Sequence, residues 1–348
     1  MTLQSSDQSL NSDKPSEADR VLVWDGWRGC AILLVLCGHF YDIEWMWEDR
    51  MGVDVFFVLS GMLMSVILFE KRISLRDFYV RRFSRIYPVF LLCVLLMYAA
   101  AAVQSIEFTL WELISSLAFL RTYTPADPHL WSSGVAVGHL WSLNVEEHAY
   151  VFLSAITLFF VNRRYVAVFL LLVGVGLVAL SFYRYTQLSE SQMERYLIRT
   201  ECAVVFILFS AGYGLLARQY KISVPPLLPP ACVILAVLCY ANAAPLWLVF
   251  SVSPILLAVA VNHLQDIPAF LGSVLSSSVI RHFGMWSYSI YLWQQIFYQY
   301  AWAVPGGKFT ALLLSVITGL LSYYLLEQPV RKAINNRWSA QPKYRAMA

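Results

Sequence analysis

The sequence predicts an all-α integral membrane protein with about ten transmembrane helices and with both termini in the cytoplasm. Of the 348 residues, 59% are hydrophobic and only 14% are charged, whereas soluble globular proteins average about 45 to 50% apolar and about 25% charged residues. The mean hydropathy is +0.60. Because a bilayer core requires about 20 apolar residues per helical span, this composition excludes a soluble enzyme and a disordered chain.

Apolar runs between charged or Pro/Gly-rich breaks define the individual spans. We predict spans near residues 21–41, 51–68, 86–103, 137–161, 165–182, 198–217, 228–243, 245–263, 283–302 and 309–326. The segment 107–131 is apolar in part but is interrupted by charged residues and prolines between Arg121 and Pro128. We predict an outer-face hairpin or interfacial helix there, because an eleventh span would place the basic C-terminus outside, against the positive-inside rule.

Polar ends flank a single membrane domain. Residues 1–20 are polar and contain no apolar core of a signal peptide, so we predict a disordered cytoplasmic tail. Residues 21–332 then form one transmembrane domain, and residues 333–348 form a basic cytoplasmic tail. With the N-terminus in the cytoplasm, 18 of the 25 Lys and Arg residues lie inside and six lie outside, which is a strong orientation signal.

Charge and cysteine patterns exclude several classes of partner. The net charge is only +3 and there is no soluble basic module, so we predict no nucleic-acid partner. The six cysteines lie in apolar stretches without a C-x-x-C pair, so we predict no metal site. One dense basic run marks a cytoplasmic loop, and a further role in binding phosphates is equally compatible with it. That run contains Lys71, Arg72, Arg76, Arg81, Arg82 and Arg85.

Few ionisable residues fall within the predicted spans. Each is a candidate functional residue, because a charged side chain at mid-membrane costs about 2.5 to 3.5 kcal/mol to insert. The first span contains Arg28 and His39, eleven positions apart, which corresponds to about 16 Å along a helix. Arg28 therefore lies toward the cytoplasm, and His39 lies toward the outer leaflet.

The second and fourth spans bring further acid–base groups to the level of His39. Asp54 is the only charged residue between positions 51 and 69. The fourth span also begins outside, and it opens with His139, Glu146, Glu147 and His148. Histidines and carboxylates at one depth form the composition of an acid–base site, in which a carboxylate orients an imidazole. Adjacent glutamates point about 100° apart on a helix, so only one faces His39, and Ser142 on the same face favours Glu146.

Structural interpretations of the same residues stay open. His39 alone would hydrogen-bond between helices, and Asp54 alone would pair with a basic or backbone group. The ninth span carries a stripe of polar and aromatic side chains at three- and four-residue spacing. The stripe contains Ser287, Tyr291, Gln294, Gln295 and Tyr298. Such a surface suits sugar binding, or equally an interhelical hydrogen-bond seam.

Six sequence blocks in a fixed order carry a family resemblance. They are WDGWRG followed by His39, GVDVFFVLSG, RRFSRIYP, HLWSLNVEEHAY, SYSIYLWQQ and the closing Glu327-x-Pro329-x-Arg331. In this order they resemble the membrane acyltransferase-3 family, over about residues 21 to 332. The resemblance implies a multi-pass enzyme of the bacterial inner membrane with ten helices. It also implies transfer of an acyl group, usually acetyl from cytoplasmic acetyl-CoA, to a hydroxyl of a cell-surface glycan or exopolysaccharide precursor.

The resemblance implies roles for individual residues as well. Arg28 and His39 are similar to an essential pair of the family's first helix. Arg82 and Arg85 match the family's R-x-x-R, and with Arg28 they would bind the phosphates of CoA. The remaining catalytic positions of the match are Asp54 in the second-helix block and Glu146 in the fourth. We predict that His39 is a general base oriented by Asp54 or Glu146, and an acyl-histidine intermediate stays open.

For the acceptor we predict contacts with Ser287, Tyr291 and Gln294. Gln294 departs from the family pattern, because many relatives have histidine there and an amide cannot transfer protons, so we assign it only a binding role. A second departure is length, since some relatives carry an extracytoplasmic hydrolase-like domain for which this chain has no room.

The predicted partners are acyl-CoA, a glycan or lipid-linked sugar acceptor and membrane lipids, with no permanently bound cofactor and no specified oligomeric state. One alternative function is a transporter or flippase of a lipid-linked glycan, which predicts an internal symmetry that the sequence lacks. Another is an acyl carrier that serves a separate transferase.

Overall fold

A computed structural model describes residues 17–41, 44–123, 134–160 and 162–338, and most of these residues are helical. The helices are α1 (Glu17–Tyr41), α2 (Glu48–Met64), α3 (Leu75–Val103), α4 (Leu110–Leu117), α5 (Trp141–Phe159), α6 (Arg163–Gln187), α7 (Glu190–Leu197), α8 (Thr200–Ala203), α9 (Val205–Gln219), α10 (Leu228–Cys239), α11 (Trp247–Ser251), α12 (Ser253–Asn262), α13 (Ala269–Leu275), α14 (Ser278–Gln299), α15 (Gly307–Ser322) and α16 (Gln328–Trp338). Two π-helical turns, Ser65–Glu70 and Tyr323–Glu327, continue α2 and α15. The prediction of an all-α fold is therefore confirmed over the described residues.

Every predicted span coincides with one helix or with two consecutive helices. Five helical segments of the described chain are long and apolar enough to cross a membrane. They are Glu48–Glu70, Leu75–Val103, Arg163–Gln187, Thr200–Gln219 and Gly307–Trp338. Two more, Leu228–Cys239 and Ser253–Asn262, are apolar but shorter. The membrane character predicted from composition thus appears in individual helices, whereas the count of ten spans and the cytoplasmic placement of both termini stay predictions.

The helices extend beyond the predicted membrane domain at both of its ends. Helix α1 begins at Glu17, inside the predicted tail, and α16 continues to Trp338, beyond the predicted domain end at 332. In the segment 107–131, α4 has eight residues and is about 12 Å long, too short for a bilayer core of about 30 Å. Residues 1–16, 124–133 and 339–348 lie outside the described residues.

Helix α3 begins eleven residues before the predicted third span. The Ser74 side chain caps it by accepting a hydrogen bond of 3.1 Å from the backbone N–H of Asp77, as residues of this type do at helix N-termini. The last four of the six basic residues are consequently helical and not part of a loop. This rigid placement carries Arg82 and Arg85 on one helix toward the interior.

Helix α1 lies at the centre of the fold and packs closely against α14. Glycines permit this approach at two points. A Cβ atom added at Gly29 would lie 2.0 Å from the backbone oxygen of Ile280, and one added at Gly284 would lie 1.9 Å from that of Asp25. Small residues commonly allow membrane helices to approach in this way. The contact fixes the register of α1 on α14.

We predict that Gly29→Ala destabilises the protein. The added methyl group has to displace the backbone of α14, and overpacking of this kind costs about 1 to 3 kcal/mol. Thermal unfolding of the purified protein in detergent should show a lower midpoint.

The matched control is Gly176→Ala in α6, where an added Cβ would meet no atom within 4 Å. Its midpoint should equal that of the unaltered chain or exceed it slightly, because alanine is favoured over glycine within helices. Equal midpoints for the two variants would contradict the close contact of α1 with α14.

Candidate functional site

Two neighbouring cavities lie between α1 and the helices around it. We call the first the arginine chamber, because it is lined by Arg28, Arg82 and Arg85, together with Glu146, Ser287 and apolar side chains. We call the second the histidine chamber, because it is lined by His39 and His139, together with Asp49, Arg50 and Trp141. Val53 and Tyr291 line both. The chambers therefore meet at a partition to which these two side chains belong.

Both chambers have room for substrate atoms. The volume of the arginine chamber is about 120 Å³ and that of the histidine chamber is about 300 Å³. A single water molecule needs only roughly 10 to 15 Å³. The arginine chamber accordingly has room for a slender arm, and the histidine chamber has room for a larger group.

Arg82 is fully engaged by its neighbours in the arginine chamber. Its Nε donates to Glu147 Oε1 at 2.9 Å, and its Nη2 donates to Glu146 Oε2 at 3.3 Å. Its guanidinium also lies 3.2 Å from the centre of the Tyr150 ring. Two carboxylates balance this charge, so Arg82 mainly holds Glu146 and Glu147 in place. Glu146 and Glu147 thus both bind Arg82, an arrangement that the sequence did not predict.

Arg28 and Arg85 have fewer contacts than Arg82. Arg28 donates to the Asp25 carboxylate at 3.1 Å, one helical turn earlier. Arg85 lines the same chamber, and the described residues offer its guanidinium no hydrogen bond or ion pair. These two cations are therefore the ones with capacity left for an anionic ligand, since a guanidinium carries five N–H donors.

His39 is held in the histidine chamber by two residues of α14. Its Nδ1 lies 2.6 Å from Gln294 Oε1, and its ring stacks on Tyr298 with centroids 4.7 Å apart. An amide oxygen only accepts hydrogen bonds, so this contact assigns the proton to Nδ1 and leaves the lone pair on Nε2. Asp49 Oδ2 lies 3.8 Å from Nε2, where its charge would stabilise a protonated ring.

The predicted orientation of His39 by Asp54 or Glu146 is not what the structure shows. The fully buried Asp54 accepts hydrogen bonds of 2.8 Å from Arg50 and from Tyr240. Glu146 lies in the arginine chamber, where it accepts from Ser60 Oγ at 2.6 Å as well as from Arg82. Asp54 lines neither chamber, and the charge of Arg50, one turn earlier, compensates its own. This geometry matches the alternative in which Asp54 pairs with a basic group.

The polar stripe of α14 divides among three tasks. Ser287 donates to the backbone oxygen of Gly284 and lines the arginine chamber. The Tyr291 hydroxyl donates to the backbone oxygen of His139 at 2.7 Å and contacts Ser142 Oγ at 2.7 Å. Gln294 positions His39 and lines neither chamber. In this geometry Gln294 supports His39, and this contact takes the place of the substrate contact that we predicted for Gln294.

Three charged residues of the histidine chamber, Asp49, Arg50 and Glu194, were missed in the sequence, and the signals of the first two were present. Asp49 was left outside the second span because that span was taken to begin at residue 51, whereas α2 begins at Glu48. Arg50 and Asp54 are four residues apart, the spacing of ion pairs on one helical face. His148, expected near His39, instead contacts Thr200 Oγ1 at 2.7 Å beside a separate cavity.

Comparisons with known proteins identify the family of the chain. A family described as an acyltransferase domain matches residues 21–327, which confirms the resemblance found in the sequence. A Staphylococcus aureus (strain COL) protein named "Putative O-acetyltransferase" is 25% identical over 93% of this chain and 60% of its own length. The Listeria monocytogenes peptidoglycan O-acetyltransferase OatA is 23% identical over 77% of this chain and 48% of its own length. The chain thus spans at most about 60% of these relatives.

No solved structure matches this chain.

We predict that Arg82→Ala lowers stability, because it leaves Glu146 and Glu147 without their cation. Breaking a fully buried ion pair costs about 3 to 5 kcal/mol. These three side chains keep 11 to 17% of their exposure, so we expect a loss of about 2 kcal/mol. Thermal unfolding in detergent measures this loss.

Arg85→Ala serves as the control, because Arg85 makes no hydrogen bond or ion pair with a described carboxylate and only its more distant charge acts on Glu327. It should leave the unfolding midpoint nearly unchanged. Arg82→Lys should restore the midpoint only in part, since an ammonium cannot reproduce the planar contacts with two carboxylates and a ring. Equal midpoints for Arg82→Ala and Arg85→Ala would show that the glutamates do not need Arg82.

Proposed function

This chain belongs to the acyltransferase-3 family, and from that premise we propose that it is an O-acyltransferase of a bacterial cytoplasmic membrane. It takes an acyl group, acetyl in the first instance, from acyl-CoA on the cytoplasmic side. It then joins this group to a hydroxyl of a glycan or lipid-linked sugar at or beyond the membrane. The observation that carries the proposal is the placement of His39, whose Nδ1 lies 2.6 Å from an amide oxygen, in a chamber that shares a wall with a second chamber lined by arginines.

The donor site in this proposal is the arginine chamber. Charge-assisted hydrogen bonds to arginine suit phosphate groups, and Arg28 and Arg85 retain donors for the phosphates of CoA. Arg82, which the sequence assigned to the same task, acts indirectly by fixing Glu146 at the chamber wall. The pantetheine arm then extends toward Val53 and Tyr291, which brings the thioester to the partition.

The acceptor site in this proposal is the histidine chamber. The acceptor hydroxyl gives its proton to Nε2 of His39 as its oxygen attacks the thioester carbonyl carbon. The carbon–sulfur bond breaks, and the CoA sulfur takes up the proton, so the products are an ester and free CoA. Asp49, 3.8 Å from Nε2, stabilises the protonated ring, which is the role that the sequence gave to Asp54 or Glu146.

A glycan acceptor is supported by the relatives and by the chemistry of the chamber. The Listeria relative is named a peptidoglycan O-acetyltransferase, and its acceptor is therefore a glycan. Asp49, Arg50 and Glu194 at the chamber wall offer charged and hydrogen-bonding groups of the kind that bind sugar hydroxyls. If this chain only loads the acyl group, a partner protein would complete the transfer.

We predict that His39→Ala abolishes acyl transfer. A general base contributes typically 10²- to 10⁴-fold to the rate, so the variant should lose at least about 100-fold. The measurement is transfer of radiolabelled acetyl from acetyl-CoA to cell-surface polysaccharide, in membranes that contain equal amounts of the intact chain or the variant.

His282→Ala is the control, because His282 is a half-buried histidine near the start of α14 and lines neither chamber. It should transfer label at the normal rate. Near-normal labelling by His39→Ala would remove His39 from the mechanism. Breakdown of acetyl-CoA by the intact chain without labelled polysaccharide would favour an acyl carrier, and absence of both would favour a transporter.

We predict that Arg85→Ala raises the KM for acetyl-CoA and changes kcat little. The residue would contact CoA phosphates equally in the ground state and in the transition state, and loss of such uniform binding appears in KM. A charge-assisted contact is worth about 1.5 to 3 kcal/mol, so we expect an increase of about tenfold or more. The assay is steady-state turnover across acetyl-CoA concentrations. An unchanged KM would limit Arg85 to a topological role.

A further inference from the structure

His139 is a buried histidine without a role in the reaction proposed above. It lies on the short 3-10 turn Gly138–Leu140 that leads into α5, and it is only 1% exposed. Neither ring nitrogen makes a well-formed hydrogen bond with the described residues, and the backbone of Leu292 is the polar group nearest to this role. Buried polar groups are nearly always satisfied, and an exception at a cavity wall points to a ligand that completes the bonds.

The location of His139 connects it to the reaction path. Its ring lines the histidine chamber, as that of His39 does. Its ring also packs edge-on against Tyr291, with centroids 5.3 Å apart, and Tyr291 belongs to the partition between the chambers. The Tyr291 hydroxyl in turn donates to the backbone oxygen of His139 at 2.7 Å. His139 is thus fixed at the point where an acyl group from the arginine chamber meets the histidine chamber.

The surroundings of the two histidines suit different tasks. His39 has Asp49 at 3.8 Å and Gln294 at 2.6 Å, which stabilise a protonated ring and set its tautomer. His139 has no carboxylate partner of this kind, and the Arg50 guanidinium lines the same chamber. A second buried positive charge there would be costly without a partner. His139 is accordingly suited to act as a neutral N–H donor.

We propose that His139 is a second catalytic residue of the acyl transfer and donates a hydrogen bond from its neutral ring to the carbonyl oxygen of the acyl group. This inference rests on the proposed function and adds the group that holds the reacting carbonyl. As the acceptor oxygen bonds to the carbonyl carbon, negative charge develops on the carbonyl oxygen. The His139 bond strengthens at that moment, and it weakens when the carbon–sulfur bond breaks and the carbonyl re-forms.

Proton transfer in this step does not involve His139. The acceptor proton passes to Nε2 of His39 and then to the CoA sulfur, and the ester and free CoA leave. Preorganised donors of this type contribute strongly because they are already aimed at the developing charge. The absence of a well-formed hydrogen bond at either ring nitrogen, over the described part of the chain, agrees with a bond that forms only with the reacting group.

Three substitutions at His139 test whether this residue acts as a hydrogen-bond donor, as a base or only by packing. Leucine fills a similar volume without an N–H group, glutamine supplies an amide N–H without a useful base, and alanine removes the side chain. Removal of one such donor typically lowers kcat by about 10²- to 10³-fold. We expect that loss in His139→Leu and His139→Ala, with an unchanged KM for acetyl-CoA. His139→Gln should stay within about tenfold of the intact chain, whereas His39→Gln should be as inactive as His39→Ala.

The assay is acetyl-CoA turnover with a glycan acceptor, on protein whose unfolding midpoint in detergent has been measured. Retained activity in His139→Leu, in a preparation where the intact chain is active, would overturn this inference and leave the proposed function in place. Equal loss in His139→Gln and His139→Leu, with normal midpoints, would overturn it as well, because an amide donor would then be no substitute. Lack of turnover by the intact chain with any acyl-CoA would overturn the proposed function and this inference together.

Discussion

The close approach of α1 to α14 is the contact on which the rest of the site depends. Gly29 and Gly284 let the two backbones approach to a distance that leaves no space for a methyl group. Because α14 also carries Gln294 and Tyr298, this register sets the ring of His39 between them. One helix, α1, thereby presents a cation in the first chamber and an imidazole in the second. A rotation or slip of α1 would disturb both ends at once.

The helices and the placement of Arg28 and His39 were predictable, whereas the partners of these residues were not. Hydrophobic runs and charge asymmetry reveal helices because they depend on the sequence locally. The partner of His39 is 255 positions away, and only the packing of α1 on α14 decides that pairing. Asp54 was misassigned for a local reason, since its partner Arg50 lay just outside the assumed span. The helical start of α3 was hidden by its high charge.

Charged residues inside this fold serve two different purposes. Asp54 with Arg50, and Arg82 with Glu146 and Glu147, form compensated groups whose charges cancel at short distance. Such groups fix helices relative to one another, because moving either partner alone leaves a charge uncompensated. Arg28 and Arg85 face a cavity with donors to spare. A rule that treats every charged residue in a membrane span as functional therefore selects the compensated groups as well as the arginines with free donors. Only the geometry of their contacts distinguishes the two kinds.

The partition formed in part by Val53 and Tyr291 also has an electrical consequence. If both chambers are hydrated in the membrane, most of the transmembrane voltage falls across this thin wall, because the field concentrates where the dielectric constant is low. Moving one elementary charge across the wall would release or require about 2.3 kcal/mol of free energy per 100 mV of membrane potential. In the proposed reaction the charged CoA stays on one side of the wall. The acyl group crosses the wall in one direction and the acceptor proton crosses it in the other to reach the CoA sulfur, so no net charge would pass and the cell's electrochemical gradient would be undiminished.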